Sequence, residues 1–328
     1  MRVLTRSNLE ILLPFELCIE LMREAMISTS ERNCVLPLRQ SMTIPERAGK
    51  LVLMPGYLGG EGKCFGVKIV SKFERASGDT HGSHVGAVLL FNAETGLPLA
   101  LLEGGTLTAI RTASMTALAT QTLASADARH LLIIGTGEEA WYHARAVLKV
   151  RPFQQLTIWG RERTHAEALA LRVQAVTDVP VSVSSDLAAT VPLADVICTV
   201  TSAKEPILKG NWLTAGTHIN LVGSAIASTA EVDDIAVVRS RFFVDYREAA
   251  LAQAGELITS LHNGVVTEAH ILAEIGEILA HKKIGRQSSA DITLYKSLGV
   301  TTQDLAAAHF AWRSAVEQGL GEDLDLNL

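Results

Sequence analysis

Cysteine is scarce. The 328 residues hold four, Cys18, Cys34, Cys64 and Cys198, far apart and in apolar or strand-like surroundings. That spacing supports neither a disulfide framework nor paired metal ligands, and four reduced, partly buried thiols are expected. The 10 histidines form no His-x-x-x-His pattern, so no metal site is expected. Basic residues form no block able to neutralise a phosphate backbone, and the formal net charge is -6, which argues against nucleic acid as a partner. No apolar run approaches the roughly 18 residues of a membrane span. Met1 to Arg6 leads straight into a charged amphipathic segment without the apolar stretch of a secretory leader. A cytoplasmic location with no membrane partner is therefore expected. What is there is ordinary globular material, 48% hydrophobic and 20% charged, in a chain long enough for two domains with a core each.

Texture divides the chain. Phe15, Cys18, Ile19, Leu21, Met22, Ala25 and Met26 recur at spacings of three and four, which predicts a helix over Pro14 to Ser28 with one buried face. From about Leu36 to Ala100, short apolar runs alternate with glycines and prolines and predict the strands of one sheet. Asn92 to Pro98 reads as the turn of a hairpin. Thr106 to Ala124 has helical spacing. From His130 strand and helix patterns alternate, through Leu131-Leu132-Ile133-Ile134, Leu156-Thr157-Ile158-Trp159, Val196-Ile197-Cys198-Thr199-Val200, His218 to Val222 and Arg241 to Asp245. That alternation predicts an α/β fold, a parallel sheet with helices on both faces. A last helix is expected from Thr302 to Glu317.

Gly135-Thr136-Gly137-Glu138-Glu139-Ala140 follows the first of these strands and opens the next helix, giving G-x-G-x-x-A in the context of a Rossmann dinucleotide fingerprint. The first glycine permits the tight turn and the second lets backbone approach a pyrophosphate. The small Ala140 lets helix and strand pack closely, with helix N–H groups facing the phosphates. Gly135, Thr136, Gly137, Glu138 and Ala140 are therefore candidate cofactor-binding residues. At the end of the second strand, enzymes specific for NAD usually carry an acid for the ribose 2'-hydroxyl. Here the chain reads Trp159-Gly160-Arg161-Glu162-Arg163-Thr164. Arg161, Arg163 and Thr164 suit a 2'-phosphate, which favours NADPH with NADH as the alternative. The other reading of this turn is a solvated basic surface. Thr199, Thr201, Val222, Gly223 and Ser224 end predicted strands, where an open parallel sheet binds its ligand, and are candidate contacts on the nicotinamide side.

Several motifs, in order along nearly the whole chain, carry a family resemblance. They are Gly96-Leu97-Pro98, Leu107-Thr108-Ala109-Ile110-Arg111-Thr112-Ala113, the fingerprint, Ala194-Asp195-Val196-Ile197, Glu205-Pro206-Ile207-Leu208, Gly216 to Gly223 and Tyr295-Lys296-Ser297-Leu298-Gly299. Together they resemble the ornithine cyclodeaminase/mu-crystallin family. The resemblance implies a homodimer in which a Rossmann domain, 119–294, is inserted into an α+β substrate-binding and dimerisation domain made of 1–118 and 295–328. It implies a small amino acid or cyclic imino acid as substrate, held by cations at Arg39, Lys68 and Arg111, with Thr112 and Ser297 near the cofactor. Lys68 is also a catalytic candidate, because a lysine between Val67 and Ile69 in a strand is buried and needs a partner. His84, at the entry to a strand, is a second, on the strength of a histidine's near-neutral titration.

Two departures bear on the reaction. Cyclodeaminases of the family carry a glutamate two residues before the Met-Pro pair, where this chain has Val52, and an aspartate after the late Val-Gly, where it has Ala225. Losing a proton-transfer group costs factors of about a hundred to ten thousand, which weighs against cyclodeamination. Reducing a preformed cyclic imine needs less, because the imine nitrogen is itself basic and the cofactor supplies hydride. The sequence thus points to an NAD(P)H-dependent oxidoreductase acting on C=N bonds, a reductase of Δ1-pyrroline-2-carboxylate or Δ1-piperideine-2-carboxylate. The alternatives are a lyase of the same family, either a cyclodeaminase with bound NAD or a hydroxyproline dehydratase, and a non-catalytic dinucleotide-binding protein.

Overall fold

Side chains alternate from apolar to mixed along the first hundred residues, and the chain answers with strands. The computed structural model describes residues 1–45, 49–60, 62–73 and 85–327. In chain order the first elements are β1 (Arg2–Leu4), α1 (Arg6–Leu12), α2 (Phe15–Ser30), β2 (Cys34–Val35), β3 (Gln40–Ile44), β4 (Gly49–Leu58), β5 (Cys64–Phe73), β6 (Val85–Asn92), β7 (Pro98–Glu103) and α3 (Gly104–Leu123). There follow β8 (His130–Ile134), α4 (Glu138–Val147), β9 (Gln155–Trp159), α5 (Arg163–Gln174), β10 (Val181–Ser184), α6 (Leu187–Thr190), β11 (Val196–Thr199), β12 (His218–Leu221), α7 (Asp234–Arg239) and β13 (Arg241–Val244). The last elements are α8 (Arg247–Gln253), α9 (Gly255–His262), β14 (Ile271–Glu274), α10 (Ile275–Leu279), β15 (Thr293–Lys296), α11 (Thr301–Gln318) and β16 (Glu322–Asp323).

The chain divides into two compact units, Met1–Thr112 with Val300–Leu328, and Ala113–Gly299. The first is built on a sheet ordered β16-β1-β7-β6-β5-β4-β2, with β3 paired to β4. Strands β4 to β7 form an antiparallel meander. The expected hairpin joins β6 to β7, where Asn92 Oδ1 accepts from the backbone N–H groups of Glu94 and Thr95 at 2.8 and 2.9 Å, an Asx turn. Helix α11 lies across β4, β5 and β6, with α2 beside it. Period two then sorts the strands: Val52, Met54, Cys64, Lys68, Val70, Val88, Leu90, Ala100 and Leu102 are buried, while alternate residues such as Phe65 and Ile69 remain accessible.

The second unit is an all-parallel sheet ordered β10-β9-β8-β11-β12-β15-β13-β14. Its strands are short apolar runs; Leu131 to Ile134 and Val196 to Thr199 are fully buried, as strands covered on both faces must be. From β8 the chain winds outward through β9 to β10, then returns to β11 on the other side of β8. That reversal is the topological switch point of a doubly wound sheet, and ligands bind beyond the carboxyl ends of the strands there.

The unit boundaries fall at 112/113 and 299/300 rather than at the expected 118/119 and 294/295. The second difference has a plain cause. Thr293–Lys296 is a strand, β15, between β12 and β13 in the middle of the parallel sheet, so the residues up to Gly299 belong with that sheet. All four cysteines are free thiols, with Cys18, Cys64 and Cys198 buried, and burial pushes Cys64 and Cys198 up to about 12. Among the described residues no helix is long and apolar enough to cross a membrane. Nor does any group of three or more His, Cys, Asp or Glu side chains stand where it could hold a metal ion.

Candidate functional site

Antiparallel pairing sets Lys68 opposite Met54 of β4 on one side and Val88 of β6 on the other. Lys68 is thus a cation in an apolar row, 2% exposed, and such a charge requires a partner. The partner is Asp304, in the first turn of α11, which accepts from Lys68 Nζ at 3.1 Å through Oδ1. The same oxygen accepts from Arg111 Nε at 2.9 Å, and Arg111 Nη1 donates to Gln303 Oε1, also at 2.9 Å. Gln303 is itself anchored on Met26 Sδ at 3.3 Å. Arg111, from α3, is 4% exposed and Asp304 is fully buried. Asp304 Oδ2 has no hydrogen-bond partner among the described residues. Lys68 has ammonium hydrogens beyond the one Asp304 receives, and Arg111 keeps Nη2 beyond the two nitrogens already bonded.

The electrostatics follow from this crowding. Burial pushes Lys68 down to about 7; the nearby Asp304 charge opposes that fall, and the charges of Arg111 and Arg39 add to it. Burial alone would raise Asp304, but the Arg111 and Lys68 charges, with their hydrogen bonds, outweigh it and hold its carboxyl below the usual range. Arg39, half-buried in the segment between β2 and β3, is therefore near enough to act on Lys68. Two cations, Lys68 and Arg111, share one carboxylate oxygen. An excess of positive charge in an apolar setting is an anion site, because burying unbalanced charge is costly and a carboxylate ligand relieves it.

The two positions where the family resemblance expects an acid hold apolar residues. Val52 packs with Met54 and Val70 in a small apolar cluster, and Ala225 lies half-buried against the core of the second unit. His84, the other expected catalytic candidate, lies outside the described residues, as does the adjacent Ser83.

The second unit supplies a dinucleotide platform. Gly135 has φ +135° and a Cβ there would sit 2.7 Å from the Val200 carbonyl oxygen, so only glycine fits this turn beside β11. Thr136 is half-buried. Gly137 is the N-cap of α4, without a side-chain cap, and nothing lies within 4 Å of where its Cβ would be. The helix thus starts without a side-chain cap beside an uncrowded glycine, which fits a pyrophosphate. Glu138 is the first helical residue, and Ala140 is fully buried against the sheet. At the end of β9, Arg161 and Thr164 are exposed. Arg163, equally exposed, pairs with Glu167 at 2.7 Å. Thr112 is buried in α3 at the end of the first unit's opening segment.

The strand-end residues expected on the nicotinamide side are drawn together by one acid, Glu231. Thr199 Oγ1 donates to Glu231 Oε2 at 2.7 Å and Thr201 Oγ1 to Glu231 Oε1 at 2.8 Å. The Gly223 and Ser224 N–H groups also donate to Glu231 Oε2, and Ser224 Oγ donates to the Thr229 carbonyl at 2.6 Å. Val222 is half-buried, and its N–H donates to the Thr199 carbonyl. Ser297 is the exception: its hydroxyl is buried and without a partner among the described residues. Sequence reasoning did not single out Gln303, Asp304, Glu231 or Glu256. The only signal for Asp304 was the lone lysine that needed an anion.

Fold and site define a dinucleotide-dependent enzyme scaffold joined to a buried cationic site. The chain belongs to the ornithine cyclodeaminase/mu-crystallin family, whose model matches residues 1–319. A Δ1-pyrroline-2-carboxylate reductase of Bacillus cereus is 32% identical over 308 residues, 94% of each chain. The mouse ketimine reductase mu-crystallin is 36% identical over 278 residues, 85% of this chain and 84% of that protein. The solved structure of Thermococcus litoralis Δ1-pyrroline-2-carboxylate reductase in complex with NADH and L-proline superposes with a TM-score of 0.95 at 32% identity, covering 99% of this chain and 100% of that one.

Proposed function

We propose that this protein is an NAD(P)H-dependent reductase of a small cyclic ketimine carboxylate, Δ1-pyrroline-2-carboxylate or its six-membered analogue. The observation that carries the reading is the pair of buried cations, Lys68 and Arg111, on one oxygen of Asp304, with an apolar residue at Val52. That cluster suits a carboxylate and, among the described residues, shows no extra acid of the kind a deaminating reaction would use. The names of the relatives agree with it.

The chain's own groups account for the rest of the chemistry. Arg111, fixed by Asp304 and Gln303, offers its remaining N–H groups to the substrate carboxylate, and Arg39 adds charge. Lys68 titrates near 7, so at neutral pH it can hold the carboxylate as an ammonium and give a proton to the ring nitrogen. When bound, the reduced dinucleotide supplies hydride to the carbon next to that nitrogen. The proton and the hydride together turn the C=N bond into CH–NH. The uncapped start of α4 receives the pyrophosphate.

NADPH is the preferred cofactor in this reading. Arg161 is exposed, forms no ion pair or hydrogen bond among the described residues, and follows the strand whose tip meets the adenosine ribose in such folds. A homodimer is inferred from the accessible face of the first sheet. Phe65 and Ile69 are 36% exposed and Met42 55%, and the Phe65 and Phe91 rings stack with centroids 5.1 Å apart. An apolar face on an antiparallel sheet is what a subunit interface requires.

The test is NADPH and NADH oxidation at 340 nm with each cyclic imine, with ornithine, NAD and an ammonia assay alongside. Stoichiometric loss of reduced cofactor is expected. Ammonia release without net cofactor change would overturn the reductase in favour of a lyase.

A further inference from the structure

Beyond the strand ends of the second unit lies a charge network that the proposed reaction does not use. Glu231 and Lys296 are fully buried and Glu256 is 1% exposed. The Glu231 carboxylate accepts from Thr199 Oγ1, Thr201 N, Thr201 Oγ1, Gly223 N and Ser224 N, at 2.7 to 3.3 Å. The backbone N–H of Glu231 donates to Glu256 Oε1 at 3.2 Å. Glu256 pairs with Lys296 at 3.3 Å, and Lys296 Nζ donates to the Ser224 carbonyl. The backbone carbonyl of Glu231 also accepts from Ile207 and Leu208. Gly223 has no room for a side chain: its Cβ would lie 2.1 Å from the Thr201 carbonyl and 2.5 Å from Glu231 Oε1.

One buried acid thus fastens the ends of β11 and β12 to each other, and Lys296, at the end of β15, fastens the third. These neighbouring strand ends follow the switch point, where a doubly wound sheet meets its ligand. A buried carboxylate is an expensive fastener for loops that need only a fold, but a stiff one, since it satisfies the strand-end donors in a single arrangement. We propose that Glu231, supported by Glu256 and Lys296, is a positioning residue for the nicotinamide half of the dinucleotide. It fixes the shape of the strand-end wall before the cofactor arrives, while the α4 end of the site holds the phosphates without it. The buried Ser297 hydroxyl, next to Lys296 and without a hydrogen-bond partner among the described residues, is a polar group available to the ligand. The inference rests on the reading that Ala113–Gly299 binds the dinucleotide.

The test compares two ligands on the full-length protein. Dissociation constants are measured by tryptophan-fluorescence quenching and calorimetry for NADPH and for 2'-phospho-ADP-ribose, which lacks the nicotinamide. Glu231→Gln is expected to weaken NADPH about tenfold, the loss expected for a charge-assisted hydrogen bond, and to leave 2'-phospho-ADP-ribose within about twofold. Thr199→Val, isosteric and lacking one donor to Glu231, is expected to move the same ratio about threefold and carries the test if Glu231→Gln does not fold. A parallel loss of both ligands, or no change in their ratio, overturns the positioning role while leaving the dinucleotide reading intact. Wild-type protein that binds neither of these ligands nor NADH overturns both.

Discussion

Lys68 and Asp304, 236 residues apart in the chain, meet at 3.1 Å in the interior of the first unit. Among the described residues Lys68 has no other acid to pair with, and Arg111 shares the same carboxylate oxygen. Removing the acid should therefore damage both fold and site. Asp304→Asn is expected to destabilise the protein by about 3 kcal/mol, the usual cost of leaving one side of a buried ion pair unpaired. It should also lower kcat/KM for the ketimine about a hundredfold through misplaced cations. Thermal melts and steady-state kinetics check both.

The lowered titration of Lys68 gives two signed consequences. Substrate carboxylate should be held best while Lys68 carries its proton, so kcat/KM is expected to fall as pH rises through about 7, and Lys68→Met should abolish that limb. Stability moves the other way. Between about 7 in the folded chain and the ordinary 10.5 in the unfolded one, the unfolded chain binds the extra proton, so raising pH across this window favours folding. Melts of wild type and Lys68→Met from pH 7 to 10 should show the wild type gaining on the variant. The opposite trend would show that Lys68 stays charged when folded.

The two fingerprint glycines should fail differently. Gly135→Ala puts a methyl against the Val200 carbonyl at a positive φ, and a drop in melting temperature is expected. Gly137→Ala meets no neighbour, so the melting temperature should hold. Its methyl enters the space a pyrophosphate needs, and dinucleotide affinity should fall about tenfold.

Cofactor choice should reside in Arg161 more than in Arg163. Arg163 is already paired with Glu167. Arg161→Ala is expected to raise KM for NADPH about tenfold, the worth of one charge-assisted contact, and to leave KM for NADH unchanged. Arg163→Ala should do less. Equal effects on both cofactors would remove the 2'-phosphate assignment.

The subunit interface is tested at Phe65. Replacing it with aspartate puts a charge on the apolar face of β5, and light scattering is expected to show a smaller species than wild type. An unchanged mass would place any interface elsewhere.

Much of this architecture was legible in the sequence because it is local. The strand–glycine–helix of Leu131 to Val147 is written in one stretch, and the apolar runs of β9, β11, β12 and β13 are each long enough to read. β15 was not, since Thr293–Lys296 ends in a lysine and follows a polar segment; its place depends on pairing with β12 and β13, which no local pattern encodes. The cations at Arg39, Lys68 and Arg111 were visible as residue types, whereas Asp304 resembles any acid in the first turn of a helix. Glu231 reads as a solvated loop residue, and only donors from Thr199, Thr201, Gly223 and Ser224 make it a buried carboxylate with five hydrogen bonds.

The counter-charge for Lys68 and Arg111 comes from α11, and this gives the protein an order of assembly during synthesis. Ala113–Gly299 is a continuous segment and can close as soon as it leaves the ribosome. The earlier-made β-meander must wait, with two cations facing an apolar layer, until Thr301–Gln318 emerges and delivers Asp304. The part of the protein translated first is therefore the last to be finished. Nascent chains halted before Thr301 should protect the second unit from protease while leaving the first exposed.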